Sequence, residues 1–147
     1  MSGQGTLQGI AVRGASRAPM REVQEASVTV PDGIVEDYRG AGLRQVTFID
    51  AGQWRHVMTE LGVDMPWHTR RANLLVDGLD LPSTVGSRLR IGDCLFEIHG
   101  ETDPCERMDE LQSGLRAGLE PEMRGGVWGK VLESGQLRVG QSVEVTE

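Results

Sequence analysis

The chain has 147 residues, a formal net charge of −7, 20 glycines, 6 aromatic residues and 2 cysteines. This length suits one domain, read here as residues 1–147 with a core over about 9–145, and roughly 68–70% of the unfolded surface is buried in a chain of this size without help from disulfides or a structural metal. The acidic balance excludes coating of nucleic acid, which needs a net basic surface. No apolar run reaches the length of a membrane span, and the first residues lack the charged-then-apolar pattern of a secretory leader, so the expectation is a cytoplasmic protein with no nucleic-acid or membrane partner.

Short apolar runs separated by Gly, Pro and Asp dominate the chain, and glycine is about twice its usual ~7%. Leu7–Val12 reads as a first strand, followed by a basic loop over 13–22 that carries Arg13, Arg17 and Arg21. Val23–Val30 alternates in part as a half-buried strand does, and Pro31-Asp32-Gly33 is a turn signal. Arg44–Ile49 is a further β-rich run. A helix is predicted over 51–62, with Asp50 as its cap and Trp54, Val57, Met58 and Leu61 on one face.

Strand character returns at Ala72–Val76 and ends in an Asp77-Gly78 turn. In Cys94–His99, alternation puts Cys94, Phe96 and Ile98 on one face. A loop over Gly100–Pro104 leads to a second predicted helix over 106–118, with Met108, Leu111, Leu115 and Leu119 as its stripe. Val127–Leu132 and Leu137–Val145 read as two last strands joined by a turn at 133–136. Seven or eight strands with two short inserted helices predict a mostly β, barrel-like fold.

Cys105 follows Pro104 in a polar loop and precedes a predicted helix. A helix N-terminus favours thiolate over thiol, lowering a pKa that is otherwise about 8.5 and giving a nucleophile or a metal ligand. Arg107 adds to that field, whereas Asp103, Glu106 and Asp109 oppose it; the alternative is an inert loop cysteine. Cys94, in phase with Phe96 and Ile98, reads as a small core residue.

His68-Thr-Arg-Arg-Ala-Asn73 is a second constellation. Arg71 and Asn73 at a strand entrance can fork onto an anion, against the alternative of an ordinary solvated strand end. Of the 15 basic residues 14 are Arg and one is Lys130, and Arg grips phosphate or carboxylate at two points where Lys is a point charge. The three histidines show no metal-ligand spacing, and no phosphate-loop, dinucleotide or nucleophile-elbow pattern occurs. Carboxylate pairs such as Glu36/Asp37 read as solvated charges.

In order and spacing these segments resemble the MOSC domain, the module at the C-terminus of molybdenum cofactor sulfurases. The resemblance runs through Pro19-Met20-Arg21, Gly33–Asp37, Arg44–Thr47, Arg71-x-Asn73-Leu-Leu-Val76, Gly78-Leu79, Ile91-Gly92-Asp93, Pro104-Cys105-x-Arg107-Met108 and a glycine-rich closing stretch over 126–145. It differs at Glu36-Asp37, where the family often has Gly-Asp, and in an N-terminal loop that carries Arg in place of a frequent Lys. The resemblance implies a barrel-like fold and binding of molybdenum cofactor (molybdopterin). It also implies a catalytic or molybdenum-ligating Cys105, cofactor contacts from Arg71, Asn73 and Arg107, and help with the phosphate from Arg21.

Three functions follow as expectations. The first is a carrier that takes sulfur onto Cys105 from a separate pyridoxal phosphate-dependent cysteine desulfurase and passes it to a molybdoenzyme. The second is a molybdenum-dependent reductase of N-hydroxylated compounds, with Cys105 as metal ligand and a separate electron-transfer protein. The third is a non-catalytic barrel that binds an anion or a protein. Pyridoxal phosphate is not expected on this chain itself, whose one lysine falls in a predicted strand.

Overall fold

A computed structural model describes residues 3–38, 44–102, 104 and 106–146. Cys105, and with it one of the predicted site residues, lies outside the described residues. The chain enters through β1 (Gln4–Val12), β2 (Arg21–Val23), β3 (Glu25–Thr29), β4 (Gly33–Ile34) and β5 (Val46–Asp50). Helix α1 (Ala51–Leu61), a 3-10 turn (Trp67–Arg70), β6 (Leu74–Asp77), a second 3-10 turn (Leu81–Thr84), β7 (Arg88–Ile91) and β8 (Cys94–Glu101) follow. The last third holds α2 (Glu106–Leu111), α3 (Leu115–Leu119), a third 3-10 turn (Pro121–Met123), β9 (Val127–Glu133), β10 (Gly135–Arg138) and β11 (Ser142–Thr146).

Seven strands close into a barrel in the order β11-β7-β8-β9-β5-β6-β1, and β1 returns to β11. Closure is made by Gln4, Gly5 and Thr6 opposite Glu144, Val143 and Ser142. Closing a sheet removes its free edges, which would otherwise template association. The β5–β6 pair is parallel, with Phe48 opposite Leu74 and Asp50 opposite Val76. Strand β2 adds to the far end of β1, and β10-β3-β4 form a separate small sheet. The buried Gln45 ties that sheet to the barrel: its Nε2 donates to the Val30 carbonyl (2.7 Å) and its Oε1 accepts from the Val131 amide (2.7 Å).

Alternation explains the two cores. On β5, Phe48 points into the barrel and its neighbour Ile49 into a second cluster. Inside the barrel, Phe48 meets Phe96 edge to face, with centroids 5.4 Å apart, the arrangement that ring quadrupoles prefer. Cys94, Phe96 and Ile98 share this interior, as their spacing predicts. Outside it, Trp54, Val57 and Met58 of α1 pack with Met108, Leu115 and Leu119 against Ile49 and Ala11. Among the described residues no helix is long and apolar enough to cross a membrane.

The predicted segmentation differs from the structure in four places. The helix over 106–118 is two helices, because Gly114 adopts φ 87, outside helical geometry; the chain therefore has three α-helices where two were expected, although Met108 and Leu115 still reach one cluster. Leu137–Val145 is two strands parted at Gly140 (φ 102), so β10 joins the small sheet and β11 the barrel. The turn expected at 133–136 is shorter, with β9 ending at Glu133 and β10 beginning at Gly135, and β10 pairs with β3 from Gly135 opposite Val28 to Arg138 opposite Glu25. Val23–Val30 likewise divides, β2 pairing with β1 and β3 with β10. Strand β7, Arg-Leu-Arg-Ile, is absent from the predicted strands: it alternates over only four residues, burying Leu89 and Ile91, and is set by its partners β8 and β11.

Helix α1 is as predicted. Asp50 Oδ1 accepts from the Gln53 amide at 3.0 Å, and Gly62 closes the C-terminus at φ 67. Asp50→Ala is expected to cost about 1 kcal/mol of stability, read as a lower urea midpoint with an unchanged denaturant slope.

Candidate anion-binding site

The site is organised by one amide side chain. Asn73, 6% exposed, stands at the entrance to β6. Its Nδ2 donates to the Ala11 carbonyl and to Asp37 Oδ2, both at 3.2 Å. Its Oδ1 accepts from the Thr47 amide and the Thr47 hydroxyl, both at 3.1 Å. Two donors and two lone pairs are the full capacity of an amide, and here they tie β1, β5, β6 and the segment after β4 together. Asp37 accepts in addition from the Arg13 amide at 2.9 Å. Burial pushes the Asp37 carboxyl above its ordinary value of 3.8, against the opposing pull of those two hydrogen bonds and of the Arg13 charge.

Around this anchor the chain gathers cations. Arg71 follows the Trp67–Arg70 turn at φ 68, a left-handed conformation rare outside glycine, and its amide donates to the His68 carbonyl at 2.9 Å. Such a conformation costs of order 1–3 kcal/mol and persists where the surroundings over-determine it. Arg71, Asn73, Arg13, Arg44, Asp37 and Tyr38 line a pocket of about 160 Å³. Arg71 also lines an adjoining pocket of about 350 Å³ with Arg17, Met20, His68, Arg107 and Leu111.

Two of these arginines are held by aromatic faces. The Arg13 guanidinium lies 5.7 Å from the Tyr38 ring centre, and its Nε donates to the Tyr38 carbonyl at 3.2 Å. The Arg44 guanidinium lies 5.6 Å from the Trp128 ring, which stacks on His99 at 5.0 Å. An aromatic face orients a guanidinium without cancelling its charge. Four arginines outside the groove pair with carboxylates: Arg90 with Glu133 (3.0 Å), Arg124 with Glu60 (2.9 Å), Arg138 with Glu25 (3.6 Å) and Arg55 with Asp77 (3.8 Å). Among the described residues Arg17, Arg44, Arg71 and Arg107 have no carboxylate within ion-pair distance, as is also true of Arg21, Arg88 and Arg116; it is the convergence of Arg13, Arg17, Arg44, Arg71 and Arg107 on two pockets that makes a local positive basin on an acidic chain.

The predicted site residues are distributed unevenly. Arg71 and Asn73 meet in the smaller pocket, and Arg71 and Arg107 in the larger. Arg21 is exposed on β2 opposite Val12 and lines neither pocket. Of the loop preceding Cys105, Thr102 and Pro104 are buried, and α2 begins at Glu106. Cys94 is fully buried in the barrel, where burial and the nearby Asp93 charge push its thiol up to about 11. Sequence patterning does not single out Arg44, Tyr38 or Trp128, and it reads Asp37 as solvated although the structure half-buries it. Only the Arg44–Thr47 and Asp37 segments of the family resemblance point toward them.

A closed seven-stranded barrel with an arginine-lined groove beside β1, β5 and β6 defines a module suited to an anionic ligand. The chain belongs to the MOSC domain family: that domain matches residues 36–144, a span that includes Asp37, Arg44, Arg71, Asn73 and Arg107 and begins after Arg13 and Arg17. Solved structures share the fold. The YuaD protein of Bacillus subtilis superposes with a TM-score of 0.83 at 19% identity, over 97% of this chain and 95% of that one. YiiM of Escherichia coli gives 0.73 at 18% identity, over 97% and 70%. YiiM of Geobacillus stearothermophilus gives 0.73 at 14% identity, over 97% and 73%. A search of curated protein sequences returned no significant match.

The folded chain holds the Asp37 proton more tightly than the unfolded chain does. This group therefore costs stability as pH rises from about the ordinary carboxylate value through the raised folded one. Carboxyl carbon NMR is expected to place the Asp37 midpoint above 3.8, and Asn73→Ala, which removes a donor to the carboxylate, to move it higher still.

Proposed function

We propose that this chain binds molybdenum cofactor by its pterin phosphate in the arginine-lined groove and uses Cys105 as a sulfur carrier. The observation behind this reading is the convergence of Arg13, Arg17, Arg44, Arg71 and Arg107 on two adjoining pockets of a MOSC domain. Its donor set of guanidiniums and one imidazole fits a phosphate ester, which arginine forks match in shape and charge. Bound there, the cofactor supplies a molybdenum that accepts sulfur.

The chain's own residues divide the remaining tasks. Arg71 grips the anion from its left-handed perch. Asn73 fixes the strand entrance beneath it. Helix α2 has six residues, so the helix field expected at Cys105 is small, and the cationic influence on its thiolate comes from Arg107, two residues on in the chain and in the larger pocket. The Cys105 thiolate attacks the outer sulfur of a donor persulfide, R–S–SH. A sulfur–sulfur bond forms to Cys105 as the donor's own breaks, the proton stays on the transferred sulfur, and the donor leaves as R–S⁻. No external oxidant is needed. Lys130 sits in β9 opposite Glu97, so the donor persulfide is made by a separate pyridoxal phosphate-dependent desulfurase, and a molybdoenzyme is the acceptor.

Expression in a cofactor-competent host is expected to yield molybdenum and pterin near one per chain, both lost in Arg71→Ala. Incubation with a desulfurase and cysteine is expected to add the mass of one sulfur, absent in Cys105→Ala. Sulfur uptake that survives Cys105→Ala removes the carrier role. Turnover of an N-hydroxylated substrate with a chemical reductant, without sulfur uptake, replaces the carrier by a reductase.

A further inference from the structure

We infer that the groove is a two-anion site, in which a phosphate occupies the smaller pocket and a second anionic group, carried on an organic moiety, occupies the larger, with Arg71 shared between them. This rests on the groove being the ligand site proposed above, and deepens it by naming the ligand class.

The first argument is geometric. The two pockets have separate linings that meet only at Met20 and Arg71. The smaller, about 160 Å³, lies below the roughly 300–1,000 Å³ of pockets that take organic ligands and suits one oxyanion. The larger, about 350 Å³, falls within that range, and Met20, Leu111 and Pro19 give it an apolar wall for carbon atoms.

The second argument is charge. Arg13, Arg44 and Arg71 face the smaller pocket, offset by Asp37. Arg17, Arg71 and Arg107 face the larger together with His68, whose nearby carboxylate is Glu22 at 3.8 Å. A phosphate monoester carries about −1.5 to −2 at neutral pH and is matched by one or two guanidinium forks. One such group in either pocket leaves the arginines of the other unmatched. A ligand with two anionic groups, or a phosphate ester beside an anionic co-ligand, matches both.

The third argument is preorganisation. The Arg13 and Arg44 guanidiniums lie over the Tyr38 and Trp128 rings, which orient them without cancelling their charge, so the smaller pocket is set for an anion before one arrives. Arg71 reaches both pockets from a backbone conformation that an unconstrained arginine rarely adopts.

Titration calorimetry with inorganic phosphate on the cofactor-free protein tests this. Two phosphates per chain are expected. Arg44→Gln should weaken one event tenfold or more and Arg107→Gln the other, in line with about 1.5–3 kcal/mol for a charge-assisted bond. Arg71→Gln should weaken both, and Arg138→Gln, at a carboxylate-paired surface arginine outside the groove, neither. Circular dichroism melts confirm that each variant is folded. One phosphate per chain, or the same event lost in both Arg44→Gln and Arg107→Gln, overturns the inference. Protein purified with pterin separates the sources: no further phosphate uptake assigns both groups to one ligand, uptake of one assigns the larger pocket to a co-ligand, and uptake of two places the pterin elsewhere and removes the cofactor reading of the groove. Retention of pterin on purification with a single phosphate event on the cofactor-free protein removes the two-anion inference alone, whereas two events on a protein that never retains pterin remove the cofactor reading alone.

Discussion

Parallel pairing of β5 with β6 is the constraint on which the site depends. Antiparallel neighbours can be joined by a tight turn, but parallel ones require a crossover that carries the chain back to the starting end. Here the crossover is α1 followed by the Trp67–Arg70 turn. It covers Ile49 and Ala11 with an apolar helix face, building the second core. It also delivers two arginines and an asparagine to the point where β6 begins, beside the start of β5 and the end of β1. The Asn73 amide nitrogen donates to the Thr47 carbonyl and its own carbonyl accepts from Ala11, at 3.0 and 2.7 Å. Backbone and side chain of one residue thus lock three strands in register at the floor of the groove.

The electrostatics follow from what surrounds each guanidinium. On a chain of net charge −7, Arg55, Arg90, Arg124 and Arg138 pair with acids, and such surface pairs contribute at most about 1 kcal/mol each. Around the groove Arg13 has the Tyr38 ring and carbonyl, with the half-buried Asp37 nearby, and Arg44 has the Trp128 ring. That choice leaves positive charge available while still restricting side-chain motion, so an arriving anion meets donors that are already oriented. The net acidity of the chain and the basic character of the groove are therefore compatible: the first sets the long-range surface, the second a local field.

How much of this was legible in the sequence varies with the physical cause. Helix α1 was legible because its cap, stripe and closing glycine all act within a dozen residues. The interior face of β8 was legible because Cys94, Phe96 and Ile98 repeat with the pleat. The break at Gly114 was not, since the apolar spacing continues on either side and only the backbone dihedral shows the interruption. Nor was the parting of β10 from β11, because both strands carry alternating residues and the choice of sheet is made by partners more than a hundred residues away, β3 for one and β1 for the other. In the site, Arg71 and Asn73 were marked by type and position, and Arg107 by its place beside Cys105. Arg44 joins them only because β5 lies next to β6, and its stacking on Trp128 depends on β9 lying next to β5.

The paired arginines show how one sequence feature divides into two roles. Arg70 is buried, and its Nη2 donates to the Thr102 carbonyl at 2.9 Å. Gly125 passes so close that a side chain there would press on both that carbonyl and the guanidinium. The Thr102 amide in turn donates to the Gly126 carbonyl at 2.8 Å. Arg70 therefore clamps the crossover to the end of β8 and the approach to β9, three residues before Cys105 in the chain. With that clamp in place, the left-handed turn at the next residue swings Arg71 away from the interior and into the groove. A lysine in place of Arg70 would offer a point charge without the planar fork that reaches Thr102 from a buried stem, and a right-handed residue 71 would carry its side chain elsewhere. The strain at Arg71 is thus held by a neighbour whose own position is fixed by the strand that leads to the cysteine.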